Sequence, residues 1–380
     1  MRVAIIHYWL VGMRGGEKVL EAICRIFPQA DIYTHVAIPE NLSPLLRQHK
    51  IIETSVGRLP FAKKLYQSYL PLMPSALETL DLTGYDLVIS SEAGPAKGVI
   101  VPPDAVHVCY THSPMRYLWD QYTTYRNGAG FLSRMAMPVF APRLRLWDVT
   151  SAARVDHFLA NSNHVAKRIQ KYWRRDSQVL HPPCDVSAFT PRPRGTHEDF
   201  YLWCGELAPY KRPDIAVAAF AKLGLPLVVI GGPDKTCKRL AEGAPANITF
   251  LGKVGFDVLR DHLARCKALI FPGEEDFGIV PVEAMASGRP VIAYGRGGAL
   301  DTVVHGQTGW LYKEPTTEGL IGAVRDFEAS GLADCDPLAL AAHAQQFDEA
   351  AFRNGLIAAI EAQGLSLSGH VASPAEVSHG

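Results

Sequence analysis

Apolar and polar positions along the chain alternate between two periods. Val3–His7 is a short, almost uninterrupted apolar run, the pattern of a strand covered on both faces. Residues 17–27 then place Val19, Leu20, Ile23 and Phe27 on one side of a helix. Residues 87–90, 106–110 and 158–160 supply further strands, each followed by polar or turn-forming residues. A proline-rich stretch over 181–195 breaks the pattern and reads as a linker. Beyond it the alternation restarts, with strands at Tyr201–Cys204, Leu227–Ile230, 248–251, Ala268–Phe271 and Val291–Tyr294, and helices over 214–222 and 257–266 between them. Short apolar strands separated by helices predict an α/β architecture of parallel sheets covered on both faces. In such sheets ligands bind beyond the carboxyl ends of the strands, so the residues that follow each strand are where chemistry is sought.

Residues 268–301 carry the densest signal. The strand Ala268–Phe271 ends at Pro272-Gly273, and three acids follow: Glu274, Glu275 and Asp276. After Phe277-Gly278, residues 281–287 read as a short helix with Pro281 at its first turn and Gly288 past its end. The N–H groups of Gly278, Ile279 and Val280 are thereby predicted at a helix N-terminus, where a phosphate is favoured. Glu275 and Glu283 flank that point, and a carboxylate can accept two hydrogen bonds from a sugar or ribose diol.

At 380 residues with 48% apolar and 20% charged content, the sequence is that of an ordinary globular protein of about two domains. It has no uncharged apolar run long enough to span a membrane, and its opening reads as a first strand rather than a secretory leader. Seven cysteines without a Cys-x-x-Cys pair argue against a disulfide framework or structural zinc and point to a reducing cytoplasm. Net charge is zero but divided: residues 1–185 hold 21 Lys+Arg against 15 Asp+Glu, a balance of +6, and residues 186–380 hold 17 against 23, a balance of −6. Within residues 116–175, Arg134, Arg143, Arg145, Trp147, Arg174 and Arg175 are interleaved with apolar residues. That composition fits a membrane-facing surface, and equally a core with a solvated basic rim.

Three other sites follow strands. Gly15-Gly16 stands before the first helix, where a backbone without side chains can approach a ligand. His112 follows the strand at 106–110, and its ordinary pKa suits proton exchange near neutrality. Lys211-Arg212 follows Tyr201–Cys204, and a cation there would stabilise charge on a leaving phosphate. The pair Asp334/Asp336 has the Asp-x-Asp form of a metal-diphosphate site, but it follows no strand and precedes an alanine-rich run, so helix capping accounts for it better.

The spacing Glu275-x7-Glu283, with Phe277-Gly278 after the first acid and Glu-Ala-Met-Ala-x-Gly-x-Pro-Val-Ile from the second, resembles the donor site of the family 4 retaining glycosyltransferases. The resemblance runs from residue 1 to about residue 360. It implies the GT-B fold: two Rossmann-like parallel-sheet domains with an interdomain cleft. They are expected at 1–185 on the acceptor side and 186–349 on the nucleotide-sugar side, with a helix over 350–362 crossing back to the first and a disordered tail over 366–380. By the same resemblance Gly15-Gly16 approaches the donor diphosphate, Lys211 contacts it, His112 lies near the transferred sugar, Glu275 orients sugar hydroxyls, and Glu283 holds the ribose, with residues 277–280 completing the donor site. The family often has arginine directly after the glycine at 205, where this chain has Glu206, and Arg212 is the candidate replacement. The turn Gly297–Asp301 matches another family feature, with aspartate where glutamate is usual.

The segments HYWLVGMRGGEKVL and THSPMRYLWD are similar to bacterial mannosyltransferases of exopolysaccharide, O-antigen and lipopolysaccharide synthesis. They imply GDP-mannose as donor, a polyprenyl-diphosphate-linked saccharide as acceptor, and with it a peripheral place on the inner face of the cell membrane. A lysine and a helix N-terminus to compensate the diphosphate, with no convincing carboxylate pair left over for magnesium, predict activity without a metal or other cofactor. The alternatives are another GT-B enzyme such as a nucleotide-sugar epimerase, and a non-catalytic sugar-nucleotide-binding partner.

Overall fold

A computed structural model describes residues 1–232 and 234–372. The chain divides into two compact units, the first formed by Met1–Pro183 with the chain from Phe352 onward, the second by Cys184–Ala351.

The first unit is built on seven parallel strands: β1 (Val3–His7), β2 (Asp31–Thr34), β3 (Ile51–Glu53), β4 (Leu87–Glu92), β5 (Val106–Thr111), β6 (His157–Ala160) and β7 (Gln178–Val179), in the order β3-β2-β1-β4-β5-β6-β7. The predicted strands are present. The additional ones, β2, β3 and β7, are two to four residues long, too short to show a period of their own. Between β1 and β2 runs the helix Gly15–Ile26, whose Val19, Leu20, Ile23 and Ile26 are buried against the sheet. Glu17 closes a capping box at its start by accepting the Arg14 N–H at 2.9 Å. The 22-residue helix Phe131–Ala152 leads into β6.

The second unit has six parallel strands: β8 (Tyr201–Cys204), β9 (Leu227–Ile230), β10 (Ile248–Gly252), β11 (Ala268–Phe271), β12 (Val291–Tyr294) and β13 (Gly309–Tyr312), ordered β10-β9-β8-β11-β12-β13. Both sheets therefore reverse their strand order once, between β1 and β4 in the first and between β8 and β11 in the second. At such a reversal the helices on either side run to opposite faces and leave a crevice at the strands' carboxyl ends.

The last helix, Glu349–Glu361, sends Phe352, Leu356, Ala359 and Ile360 into the first unit's core, where Phe352 meets Tyr110 edge-on. The tail expected over 366–380 needs correction in its first half. Leu367 is fully buried in the same core, the Ala372 N–H donates to the Ile26 carbonyl at 3.1 Å, and the Arg353 guanidinium donates to the Ala372 carbonyl at 2.5 Å. Residues 373–380 lie outside the described residues.

Candidate functional site

In the second unit, the β8–β11 reversal brings together groups far apart in sequence. After β8 the chain makes a tight turn, Pro209–Lys211, and Lys211 Nζ reaches Glu275 Oε1 at 2.5 Å, with both side chains largely buried. Burial alone would lower the Lys211 pKa, but the Glu275 charge and hydrogen bond outweigh it and hold the ammonium above its ordinary value. After β11, Gly278 adopts φ +86 and starts the helix Ile279–Ala286. An L side chain would be strained there, and a Cβ would also lie 2.8 Å from the Phe271 ring. The helix begins two residues earlier than the proline implied, so the N–H groups of Ile279 and Val280 form its open N-terminus.

Glu283 lies on this helix, and among the described residues its carboxyl has no hydrogen-bond or ion-pair partner. Burial pushes its pKa up to about 7, with Lys211 opposing and Asp185 adding to the rise. A half-buried carboxyl without a partner, near a compensated lysine and a helix N-terminus, is able to take hydroxyl donors from a ligand.

Two residues assigned to this site behave differently from expectation. The Arg212 guanidinium is held by Asp214, through Nε at 3.1 Å and Nη2 at 2.9 Å, so its charge is already committed. The Phe277 side chain is buried edge-on against Phe347 and belongs to the core, because the strand-to-helix turn needs an apolar anchor. Asp336 caps the helix Pro337–Ala344 by accepting the Leu338 N–H, and Asp334 lies 3.4 Å from His197. Among the described residues no three His, Cys, Asp or Glu side chains gather as metal ligands, and all seven cysteines are free thiols.

In the first unit, the β1–β4 reversal places His112 beside the Gly15-Gly16 turn. A Cβ added at Gly16 would lie 2.4 Å from the Tyr8 hydroxyl and 3.8 Å from His112 Nε2, so only glycine fits without displacing Tyr8. His112 Nε2 lies 2.8 Å from Ser91 Oγ, which in turn lies 3.1 Å from His7 Nδ1. The pairing His7↔Ser91 comes directly from the register of β1 on β4. His7 Nε2 stands 3.9 Å from Glu17 Oε1, beyond hydrogen-bond range but close enough for a charge interaction. Burial acts to raise the Glu17 pKa, but His7 and the Arg14 N–H outweigh it and leave the carboxyl below its ordinary value. Ser91, His7 and Glu17 thus connect His112 to the helix that carries the glycine turn. None of the three carries a local sequence signal, although a histidine and a serine at the ends of apolar strands are the kind of polar intrusion that marks such a site.

Beneath this site, Glu92 accepts the Ala96 and Lys97 N–H groups, and Lys97 is buried between Glu92 and Asp148. Asp148 also accepts the indole N–H groups of Trp119 and Trp173. The Glu92 carbonyl receives the His112 N–H at 2.8 Å, so this buried ion cluster fixes the strand ends that present His112.

The basic and aromatic residues expected at a membrane surface fall into two groups. Arg134, Arg143 and Arg174 are exposed. Arg145, Trp147 and Arg175 are not free for that role. Arg145 donates to the Leu118 carbonyl at 2.5 Å and stacks over Tyr122, Trp147 donates to Glu78 and packs on Gly98, and Arg175 donates to the Ala152 and Val155 carbonyls near the end of the helix Phe131–Ala152. Helix phase turns Arg145 and Trp147 inward, and the chain turn that follows the helix Asn163–Trp173 does the same for Arg175; composition reveals neither.

Residues 13–188 match the family described as Glycosyltransferase Family 4, and residues 189–351 match Glycosyl transferases group 1. Among curated proteins, the chain is 27% identical over 319 residues to the alpha-1,3/1,6-mannosyltransferase alg-2 of Neurospora crassa, covering 70% of this chain and 65% of that protein. It is 31% identical over 230 residues to a D-inositol 3-phosphate glycosyltransferase of Mycolicibacterium smegmatis, covering 53% and 52%. The chain thus spans about half to two thirds of the length of these relatives. Among solved structures it resembles Anabaena HepE in complex with UDP, with a TM-score of 0.69 at 16% identity, covering 95% of this chain and 100% of that one. It also resembles WaaG, a glycosyltransferase involved in lipopolysaccharide biosynthesis, with a TM-score of 0.61 at 19% identity, covering 96% and 100%. At these identities the likeness establishes the fold, GT-B.

Proposed function

Because the chain belongs to glycosyltransferase family 4, we propose that it is a retaining hexosyltransferase that takes mannose from GDP-mannose and passes it to a saccharide on a lipid diphosphate. The observation that carries the reading is the Lys211–Glu275 pair at 2.5 Å, at the strand-order reversal that also holds the unpartnered Glu283 and the open N-terminus at Ile279.

In this reading the bond between the sugar's anomeric carbon and the donor diphosphate breaks, and the acceptor hydroxyl oxygen bonds to that carbon on the same face. The hydroxyl proton passes to the departing diphosphate oxygen. Lys211 and the helix N-terminus stabilise the charge that develops on the diphosphate. Glu275, held by Lys211, orients the sugar hydroxyls, and Glu283 accepts the ribose hydroxyls. In the first unit, Gly15 and Gly16 offer N–H groups at the start of a helix, and His112, set by Ser91, supports the sugar or acceptor. Mannose is supported by the similarity to alg-2 over most of the chain. The same reading puts the chain peripherally on the inner membrane face, where a lipid-linked acceptor is met; no described helix is long and apolar enough to cross a membrane.

Melting curves with a panel of nucleotide sugars test the donor, because a ligand bound only by the folded state stabilises it with the logarithm of its concentration. GDP-mannose is expected to give the largest shift and UDP-glucose little. Transfer is expected to persist in excess chelator, since Lys211 and a helix N-terminus compensate the diphosphate. Product formed without any acceptor would favour an epimerase. Donor binding with neither transfer nor slow donor hydrolysis would favour a non-catalytic partner.

A further inference from the structure

The helix Phe131–Ala152 exposes a stripe that a water-soluble surface does not need. Phe131, Met135, Val139, Pro142 and Leu146 recur every three or four residues and all face outward, with Phe131 77% and Leu146 68% exposed. The opposite side, Ala141, Leu144 and Asp148, is buried. At about 100° per residue, the exposed Arg134 and Arg143 fall on opposite flanks of the stripe.

A second segment packs against the same helix. Residues 67–71 and the inner side of the helix, from Ser133 to Leu144, together line a cavity of about 140 Å³. Just before it, Phe61 is 76% exposed and sits at φ +54, a left-handed conformation unusual for a bulky residue. The turn is pinned by the Lys64 and Leu65 N–H groups on the Phe61 carbonyl, both at 2.9 Å, and by the Tyr69 hydroxyl on the Pro60 carbonyl at 2.7 Å. It holds an aromatic ring in water beside the exposed Lys63 and Lys64. Neither residues 54–77 nor residues 121–147 contain an Asp or Glu, while they hold three and four Lys or Arg.

We propose that this face docks on an anionic lipid surface, with the Phe131–Leu146 stripe and Phe61 entering the headgroup layer and Lys63, Lys64, Arg134 and Arg143 engaging the lipid phosphates. An exposed apolar stripe between cations is the form of an interfacial helix. A second copy of this chain is a poorer occupant, because a two-fold contact would set an acid-free basic face against itself. The docking extends the lipid-linked-acceptor reading, yet vesicle binding stands or falls apart from the donor chemistry.

Vesicle sedimentation tests the proposal. The chain is expected to pellet with phosphatidylcholine vesicles containing phosphatidylglycerol and not with phosphatidylcholine alone, and to be released as salt rises. Lys63→Ala and Lys64→Ala should each weaken binding about fivefold, and Met135→Asp/Val139→Asp should weaken it by more than about tenfold. All variants should keep the wild-type melting shift with nucleotide sugar, which shows that they fold and separates this result from the donor assignment. Wild-type protein left in the supernatant at low salt would overturn the proposal, as would variants that bind like wild type. A wild-type dimer that Met135→Asp/Val139→Asp converts to monomer, without vesicle binding by either, would give the face to a second copy instead.

Discussion

Lys211 and Glu275 are adjacent charges in a largely buried setting, each the other's compensation. If they act on the diphosphate and the sugar where charge and geometry change, then Lys211→Ala and Glu275→Ala should lower kcat far more than they raise KM. Losing one such contact typically costs about 10²–10³ in rate. Steady-state kinetics showing near-normal kcat in both variants would remove these roles. Glu283 differs because it has no partner and its pKa is raised to about 7. A raised carboxyl means that the folded state binds a proton the unfolded state has lost between the ordinary value of 4.5 and about 7. Stability contributed by this group is therefore present at low pH and falls as pH rises through that window, by up to about 1.4 kcal/mol per pH unit. Glu283→Gln should flatten that dependence, melting above wild type at pH 8 and close to it at pH 4, while raising the donor KM. Parallel melting curves for the two proteins from pH 4 to 8 would contradict the assignment. The positions of Glu275 and Lys211 after strands were readable from the sequence, whereas the roles proposed for them and for Glu283 rest on the family resemblance and are what these kinetics test. The commitment of Arg212 to Asp214 was not, since it depends on a backbone turn at φ +52.

The helix Gly15–Ile26 shows how an element positions chemistry. Its apolar spacing could be read from sequence, its capping glutamate was not, and together they place Gly16 against Tyr8 with no room for a Cβ. Gly16→Ala should therefore displace the Tyr8 hydroxyl, lower turnover and cost about 1–3 kcal/mol of stability. Removing that hydroxyl leaves Tyr8 Cζ at 3.5 Å, an ordinary contact. Tyr8→Phe combined with Gly16→Ala should then recover much of the stability lost by Gly16→Ala alone, and a double variant no better than the single one would show that the crowding is not at Tyr8. The line from Ser91 to His7 was hidden from sequence reading because the two are 84 residues apart and meet only through the β1–β4 register. The helix Phe131–Ala152 was hidden for another reason. Its composition announced cations and aromatics, but only helix phase separates Arg134 and Arg143, which face out, from Arg145 and Trp147, which hold the fold.

On the scale of the whole chain, two repeats of one strand order were foreshadowed by apolar runs punctuated by turns, and the proline-rich stretch at 181–195 contains the boundary at Pro183 and Cys184. A helical pattern over 350–362 was also visible, and its crossing back to the first unit was an expectation of the family resemblance alone. What lies after it was not, because residues 366–372 are fastened by two apolar side chains, Leu367 and Val371, and a few hydrogen bonds to their backbone, which leave no periodicity to read. Leu367 is 1% exposed within a core that includes Ile26, Phe352 and Leu356, whereas its neighbour Ser368 is exposed. Leu367→Ala should then cost about 2–4 kcal/mol, the range for a buried leucine whose cavity is partly relieved near the surface. Ser368→Ala should stay within about 0.5 kcal/mol. Denaturant titrations of both variants make the comparison directly. If Leu367→Ala proves as neutral as Ser368→Ala, the segment after the last helix contributes nothing to the first unit, and the chain's structural end moves back to the helix Glu349–Glu361.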